Sequence, residues 1–177
     1  FIPTDTNYNT TYRTFTITVN KATVTVTAKP VTQEYGTNPR TYEIVYSGFV
    51  LGENENTAGV FTGSTRPTAS SSYVQYANVG TYPINVSVAG VSGPNYNFVV
   101  GPASNVTVTP APLTVTATAV DRVYDGTANV TVNFGTLLGI LNNDQVYLST
   151  STVTGTVADM NVGSGKEVTF TIPALAG

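Results

Sequence analysis

The stretch Val19-Asn20-Lys21-Ala22-Thr23-Val24-Thr25-Val26-Thr27-Ala28 recurs, without a gap, as Val108-Thr109-Pro110-Ala111-Pro112-Leu113-Thr114-Val115-Thr116-Ala117. The two copies lie 89 residues apart, counted from the first Val of each. In both, apolar residues alternate with Thr, which is typical of a strand with one buried face. A fixed period in a strand-patterned chain indicates tandem β domains, and such domains are more often spacers and binders than enzymes.

The composition excludes several classes of function. The chain has 177 residues, no Cys and no His, so disulfides, a thiolate nucleophile, a zinc finger and His-based acid–base chemistry are all excluded. With 7 Lys and Arg against 10 Asp and Glu, the net charge is −3, which argues against a nucleic-acid partner. The sequence has no polybasic patch, and none of its apolar runs is long enough to span a bilayer, so we expect no membrane insertion.

No set of residues indicates an active site. We find no nucleophile paired with a base and no metal-ligand pattern, so we expect a protein that is not an enzyme and that uses no cofactor. The low charge and the many Thr, Ser and Asn residues favour an extracellular or cell-surface location.

The repeat and its prolines define the predicted domains. Pro110 and Pro112 cannot both lie in a central strand, so they mark a stiff linker. We predict a β domain over residues 21–109 and a second one, without its last strand, over residues 110–177. Residues 1–20 are then the closing strand of a preceding repeat, or a strand donated to another chain.

We predict an all-β fold of tandem Ig-like β-sandwich domains, because short strands follow one another at turn spacings of about ten residues. The alternative is a β-grasp-like arrangement, which requires a helix. The segment from Leu137 to Leu141 is the only one that hints at a helical turn.

Short turn motifs give the chain a family resemblance. Tyr35-Gly36-Thr37-Asn38-Pro39, Val79-Gly80-Thr81-Tyr82-Pro83-Ile84 and Asn95-Tyr96-Asn97 together resemble the MBG domain of the YGX type. Tyr124-Asp125-Gly126-Thr127, with Asn161-Val162-Gly163, resembles the related YDG domain. The resemblance implies tandem repeats in large bacterial surface and secreted proteins, including adhesins, but no shared ligand.

The same motifs have a structural interpretation. Gly36, Gly80, Gly126 and Gly163 are expected to supply positive φ angles or tight turns. The accompanying tyrosines are expected to bury their rings and bond the backbone near strand ends; they are Tyr35, Tyr82, Tyr96 and Tyr124.

The start of the chain suggests a way to assemble. Residues 15–19 match the strand that ends at Val108, and Phe15, Ile17 and Val19 form its apolar face. These residues could fill the second domain of another copy by β-strand addition, giving a filament or a ring. The alternative is that their position is an accident of where the chain was cut. The expected partners are therefore other copies or neighbouring repeats.

Two weaker possibilities concern polar side chains. Glu53, Glu55 and Asp144 lie in corresponding loops and could bind calcium, although a solvated turn is favoured. Lys166 could form an isopeptide crosslink with Asp121 or Asp159, although an ordinary surface lysine is favoured.

A glycan- or mucin-binding adhesin module is the alternative function. It would use loop residues such as Glu53, Asn54 and Tyr76. In that case the partners would include host or cell-surface glycans.

Overall fold

The structure is a computed structural model that describes residues 4, 7, 8 and 12–177. This part of the chain is all-β and sandwich-like, with several sheets and no helix. In chain order its strands are β1 Ala22–Ala28, β2 Val31–Glu34, β3 Ile44–Ser47, β4 Thr68–Ser71, β5 Gly80–Ser87, β6 Tyr96–Val100, β7 Ser104–Thr109, β8 Ala117–Ala119, β9 Asn129–Phe134, β10 Tyr147–Leu148, β11 Thr152–Val157, β12 Val168–Thr169 and β13 Leu175–Ala176. No helix in these residues is long and apolar enough to cross a membrane.

The chain forms two compact units that interleave along the sequence. Unit 1 consists of Phe1–Lys29, Thr41–Ser70 and Ile84–Ser104. Unit 2 consists of Pro30–Arg40, Ser71–Pro83 and Asn105–Gly177. The domain boundary near residue 110, which the repeat predicts along the sequence, stays a prediction.

Unit 1 is built on a three-stranded sheet with β1 in the centre. The strand order is β3-β1-β6, with β3 antiparallel and β6 parallel to β1. Val24 pairs with Phe98, and Val26 pairs with both Tyr46 and Val100. Because β1 has a partner on each side, its backbone is hydrogen-bonded along both edges.

The core of unit 1 lies against one face of β1. Val24 and Val26 are fully buried, while the intervening Thr residues are not, as the period of two predicts. Around them pack Val60, Phe61 and Tyr96, with Phe61 stacked on Phe98 at 4.7 Å between ring centroids. Burying one such valine contributes about 1.5–3 kcal/mol.

Unit 2 contains the parallel pair of β2 and β7. Val31 pairs with Val106, and Gln33 with Val108. These two strands belong to a four-stranded sheet of order β2-β7-β5-β4. Val106 and Val108 are buried, so β7 carries an inward apolar face.

Unit 2 also contains a second four-stranded sheet, of order β12-β11-β9-β8. In this sheet β11 pairs with β12 and with β9, and β8 pairs with β9, all antiparallel. Val130 and Val132 of β9 and Gly155 of β11 are buried. A short pair of β10 and β13 and an isolated bridge from Thr114 to Leu138 complete the unit.

Two local predictions were wrong. Leu137 to Leu141 contains no helical turn, because Leu138 forms a bridge with Thr114 instead. Residues 14–19 are not in a strand, and residues 1–3, 5, 6 and 9–11 of the predicted closing strand lie outside the described residues.

Candidate functional site

The first Tyr-Gly motif forms a tightly held turn at the end of β2. Tyr35 donates its backbone N–H to the carbonyl of Thr109 at 2.8 Å, which continues the pairing of β2 with β7. Gly36 then adopts a φ of +87°, a left-handed conformation that favours glycine. The carbonyl of Gly36 accepts a bond from Gln75 Nε2 at 2.9 Å, and the carbonyl of Thr37 accepts one from the Tyr73 hydroxyl.

The Tyr35 hydroxyl reaches a residue far away in sequence. It donates a hydrogen bond to Asp144 Oδ2 at 2.7 Å. Because the carboxylate accepts the phenolic proton and its charge disfavours a phenolate, the pKa of Tyr35 is raised above its usual value. The edge of Tyr76 packs against the Tyr35 ring, with centroids 5.9 Å apart.

Leu141 fills the space beside the turn. A Cβ atom on Gly36 would lie 2.6 Å from Leu141 Cδ1, closer than any real contact allows. Glycine is therefore favoured at position 36 for two reasons, its left-handed backbone conformation and the space that the Leu141 side chain occupies beside it.

These residues border a cleft of about 750 Å³ within unit 2, which we call the Tyr35 cleft. Polar side chains of four residues line it: Tyr35, Asn78, Asp144 and Gln145. Its apolar lining includes Val79, Leu113, Ile140, Leu141, Val146 and Leu175. The cleft thus combines one aromatic ring, one carboxylate and two amides on an apolar floor.

The other motif tyrosines occupy different environments. Tyr82 donates its hydroxyl to the carbonyl of Asn78 at 2.8 Å, close to the end of its strand. Tyr96 is buried; its hydroxyl accepts from the backbone N–H of Val50 at 3.2 Å and donates to the Glu53 carboxylate, which raises the pKa of Tyr96. Tyr124 is largely exposed, in contrast to the expectation that its ring is buried.

The Tyr124-Asp125-Gly126-Thr127 motif is a side-chain-capped turn. Asp125 Oδ1 accepts from the backbone N–H of Thr127 at 2.8 Å, from the Thr127 hydroxyl and from the Arg122 guanidinium. The bonds from Thr127, followed by the nearby Arg122 charge, lower the pKa of Asp125. Gly126 follows with a φ of +75°.

The remaining motif glycines differ from this pattern. Gly80 has a φ of +157°, near extended backbone, at the start of β5. Gly163 does not have the positive φ that was expected as one possibility; a Cβ atom there would lie 3.0 Å from Lys166 Cε. Gly163 thus leaves room for the Lys166 side chain.

Lys166 forms an ion pair. Its ammonium donates to Asp159 Oδ2 and to the Asp159 carbonyl, both at 2.8 Å. The bond from Lys166 is the main reason that the pKa of Asp159 is lowered. An isopeptide bond would require a neutral amine and a protonated carboxyl, so this charged, partly exposed pair disfavours one with Asp159.

The predicted donor residues lie on the surface of unit 1. Phe15, Ile17 and Val19 are 84%, 85% and 84% exposed and lie in no strand.

The candidate calcium and glycan residues are dispersed. Glu53 in unit 1 is engaged by the Tyr96 hydroxyl, and Asp144 in unit 2 by Tyr35. Asn54 Oδ1 caps its own turn by accepting from the N–H of Asn56 at 2.9 Å. Within the described part of the chain, no group of three or more potential ligand residues could hold a metal ion.

Sequence reasoning missed the bond between Tyr35 and Asp144. Both residues were noted, one as a turn tyrosine and the other as a possible calcium ligand, but 109 positions separate them. No periodic signal links a turn with a loop so far along the chain.

The fold and its turns define an all-β, sandwich-like repeat protein. Residues 24–105 match the family model of the MBG domain (YGX type), and residues 109–177 match that of the YDG domain. The chain therefore carries an MBG domain followed by a YDG domain, as the motifs predicted. Such domains are found in repeat-type surface proteins.

Comparisons with curated proteins and with solved structures found no match.

Proposed function

We propose that this chain is a non-enzymatic extracellular module of a bacterial surface adhesin or fibre, in which it acts as a stalk or spacer. We further propose that copies of it join by donating a strand. The membership of both domains in repeat-type surface families supports the first proposal. The observation that carries the stalk proposal is the relative direction of the paired strands in each unit.

In each unit, an early strand runs parallel to a late one. In unit 1, β1 is parallel to β6, and in unit 2, β2 is parallel to β7. In a parallel pair, the chain enters at one end of the first strand and leaves at the opposite end of the second. Tension along the chain then loads the inter-strand hydrogen bonds together, in shear, instead of opening them one at a time.

Force spectroscopy tests this proposal. Since the chain contains no Cys, two introduced cysteines define the points of attachment. Asn20→Cys with Pro102→Cys pulls the β1–β6 pair in shear. We expect a higher unfolding force in this geometry than in one that opens the hydrogen bonds one at a time, because in shear the bonds must break together. The force reports the unfolding rate under load.

The matched control pulls the same sheet differently. Lys29→Cys with Glu43→Cys opens the antiparallel β1–β3 pair from its Ala28–Ile44 end and removes only an exposed ion pair of small energetic value. Equal forces in the two geometries would contradict a stalk that resists tension along the chain.

Glycan or mucin binding is the second candidate function. The Tyr35 cleft supports it, because an aromatic ring, a carboxylate and two amides on an apolar floor suit a sugar. The test is a glycan array probed with the whole chain and with Tyr35→Ala. Signals that require Tyr35 would favour binding, and an array without Tyr35-dependent signals would reject this cleft as the sugar site.

A further inference from the structure

The strand β8 lies at the edge of its sheet. At the 89-residue spacing, Thr114 corresponds to Thr25 of β1; Thr114 bridges to Leu138, as Thr25 pairs with Ser47. However, β1 is a continuous strand between β3 and β6, whereas the equivalent residues 111–117 contain this bridge and the first residue of the edge strand β8. In the part of the chain that the structure describes, no strand pairs with the outer edge of β8.

The segment that follows β8 is also uncovered. Residues 120–123 correspond to β2, which pairs in parallel with β7 in the first repeat. Val120 keeps a bond to the carbonyl of Thr131, but the segment is in no strand and Val123 is 87% exposed.

These residues border a groove of about 780 Å³ within unit 2, which we call the acceptor groove. Its lining is mixed, with the charged Asp121, Arg122, Asp159 and Lys166 beside apolar residues that include Val120, Val123, Val130, Met160 and Val162. Several of the apolar side chains are exposed.

Residues 15–19 have the sequence pattern of β7, the strand that pairs with β2 in the first repeat. Ile17 and Val19 correspond to Val106 and Val108, the two buried residues of β7. Thr18 corresponds to Thr107, which is exposed between them. Residues 15–19 thus have the alternation of β7, but their apolar side chains are in solvent.

We propose that residues 15–19 of a second copy pair in parallel with residues 120–123 and fill the acceptor groove. The register follows from the first repeat: the pair Val31–Val106 becomes Val120–Ile17, and the pair Thr32–Thr107 becomes Asp121–Thr18. This inference deepens the strand-donation part of the proposed function and rests on it.

The arrangement satisfies two needs together. The added strand bonds backbone groups of the exposed residues 121–123, and it moves Ile17 and Val19 out of water. Because donor and acceptor are different surfaces, the contact is heterologous, and successive copies form an open filament or a ring.

Disulfide mapping tests the register. Chains carrying Thr18→Cys alone are mixed with chains carrying Asp121→Cys alone and are oxidised. Paired strand residues have the Cα separation that a disulfide requires, so we expect a peptide that links positions 18 and 121 of different chains. The control replaces Thr18→Cys with Thr16→Cys, two residues out of register, and should give several-fold less of its crosslink.

Two outcomes of the mapping would overturn the proposal. One is the lack of an 18–121 link between chains, or an equal yield from position 16. The other is a link that forms only within one chain carrying both cysteines, because the segment would then fold back on its own copy.

Light scattering on a size-exclusion column tests whether the apolar side chains of Ile17 and Val19 hold the copies together. We expect species of at least twice the chain mass that grow with concentration and are lost in the double variant Ile17→Asp, Val19→Asp. The control Thr16→Asp, Thr18→Asp adds the same charge to the opposite face and should still assemble. A monomer at all concentrations, or equal loss in both variants, overturns strand donation but leaves the force test of the stalk unaffected.

Discussion

At the scale of single residues, Gly36 and Gly126 illustrate two reasons for a glycine in a turn. Both have left-handed φ angles, +87° and +75°. A Cβ on Gly126 would meet nothing within 4 Å, whereas one on Gly36 would meet Leu141. Gly126 is therefore required by its backbone alone, and Gly36 by its backbone and by packing.

Alanine substitutions separate these two costs. We expect Gly126→Ala to lower the free energy of unfolding by about 1–2 kcal/mol, the cost of a left-handed conformation. Gly36→Ala should cost up to about 1 kcal/mol more, because the end of the partly exposed Leu141 side chain must shift to another rotamer. Chemical denaturation measures both, and adding Leu141→Ala should recover part of the second cost but none of the first. Equal costs for the two glycines would contradict the packing role.

The hydroxyl of Tyr35 predicts a dependence on alkaline pH. Its folded-state pKa is raised, so the folded protein keeps a proton that the unfolded chain releases above about pH 10. The contribution is fully present below the unfolded pKa and is lost as pH rises through the folded one. Tyr35→Phe should lower the melting temperature at pH 7 and reduce its decline above pH 10.

Tyr82→Phe is the control for this prediction, because its hydroxyl bonds a nearby carbonyl and not a carboxylate. If Tyr35→Phe and Tyr82→Phe have the same alkaline profile, the bond to Asp144 does not control the response.

Asp159 predicts the opposite dependence, at acid pH. Its folded-state pKa is lowered, chiefly by the bond from Lys166, so its contribution is present above the unfolded pKa of about 3.9. That contribution is lost as pH falls through the folded pKa. Melting curves from pH 7 to pH 2 should show Asp159→Asn less stable at neutral pH, with the difference vanishing in acid. Glu167→Gln, which leaves the ion pair intact, should not show this convergence.

At the scale of elements, β1 organises unit 1. It is the central strand of its sheet, and Val24 and Val26 lie in the core among Phe61, Tyr96 and other apolar residues. Its exposed face carries Thr, which stabilises the strand conformation without apolar exposure.

Core truncation in β1 should be costly. We expect Val24→Ala to lower the free energy of unfolding by about 2–3 kcal/mol, from lost burial and the cavity left behind. Thr23→Ala, its exposed neighbour on the same strand, should change it by about 0.5 kcal/mol or less. Urea denaturation of both variants provides the measurement, and similar costs would refute the assignment of the core face.

At the scale of the whole molecule, residues 12–20 contribute no strand. We expect deletion of residues 1–20 to leave the melting temperature of dilute protein unchanged, because their described side chains are exposed. Calorimetry at low and high concentration checks this. A large loss at low concentration would show that these residues stabilise their own copy, contrary to donation between copies.

The sequence by itself determined the all-β class, the tandem repeat and the turn motifs that match the two families. These features follow from local physics: alternation with a period of two reports a buried strand face, and glycine reports turns. The alternation of Val24 and Val26 with Thr, for example, is reproduced in the burial of β1.

The tertiary structure alone decided which strands meet. The sequences of β1 and residues 111–117 are similar, yet β1 is a central strand, whereas residues 111–116 form only the Thr114–Leu138 bridge. Likewise, nothing local places Tyr35 against Asp144. Pairing of strands and closure of turns depend on partners distant in sequence, and a local pattern states which face is buried without stating what buries it.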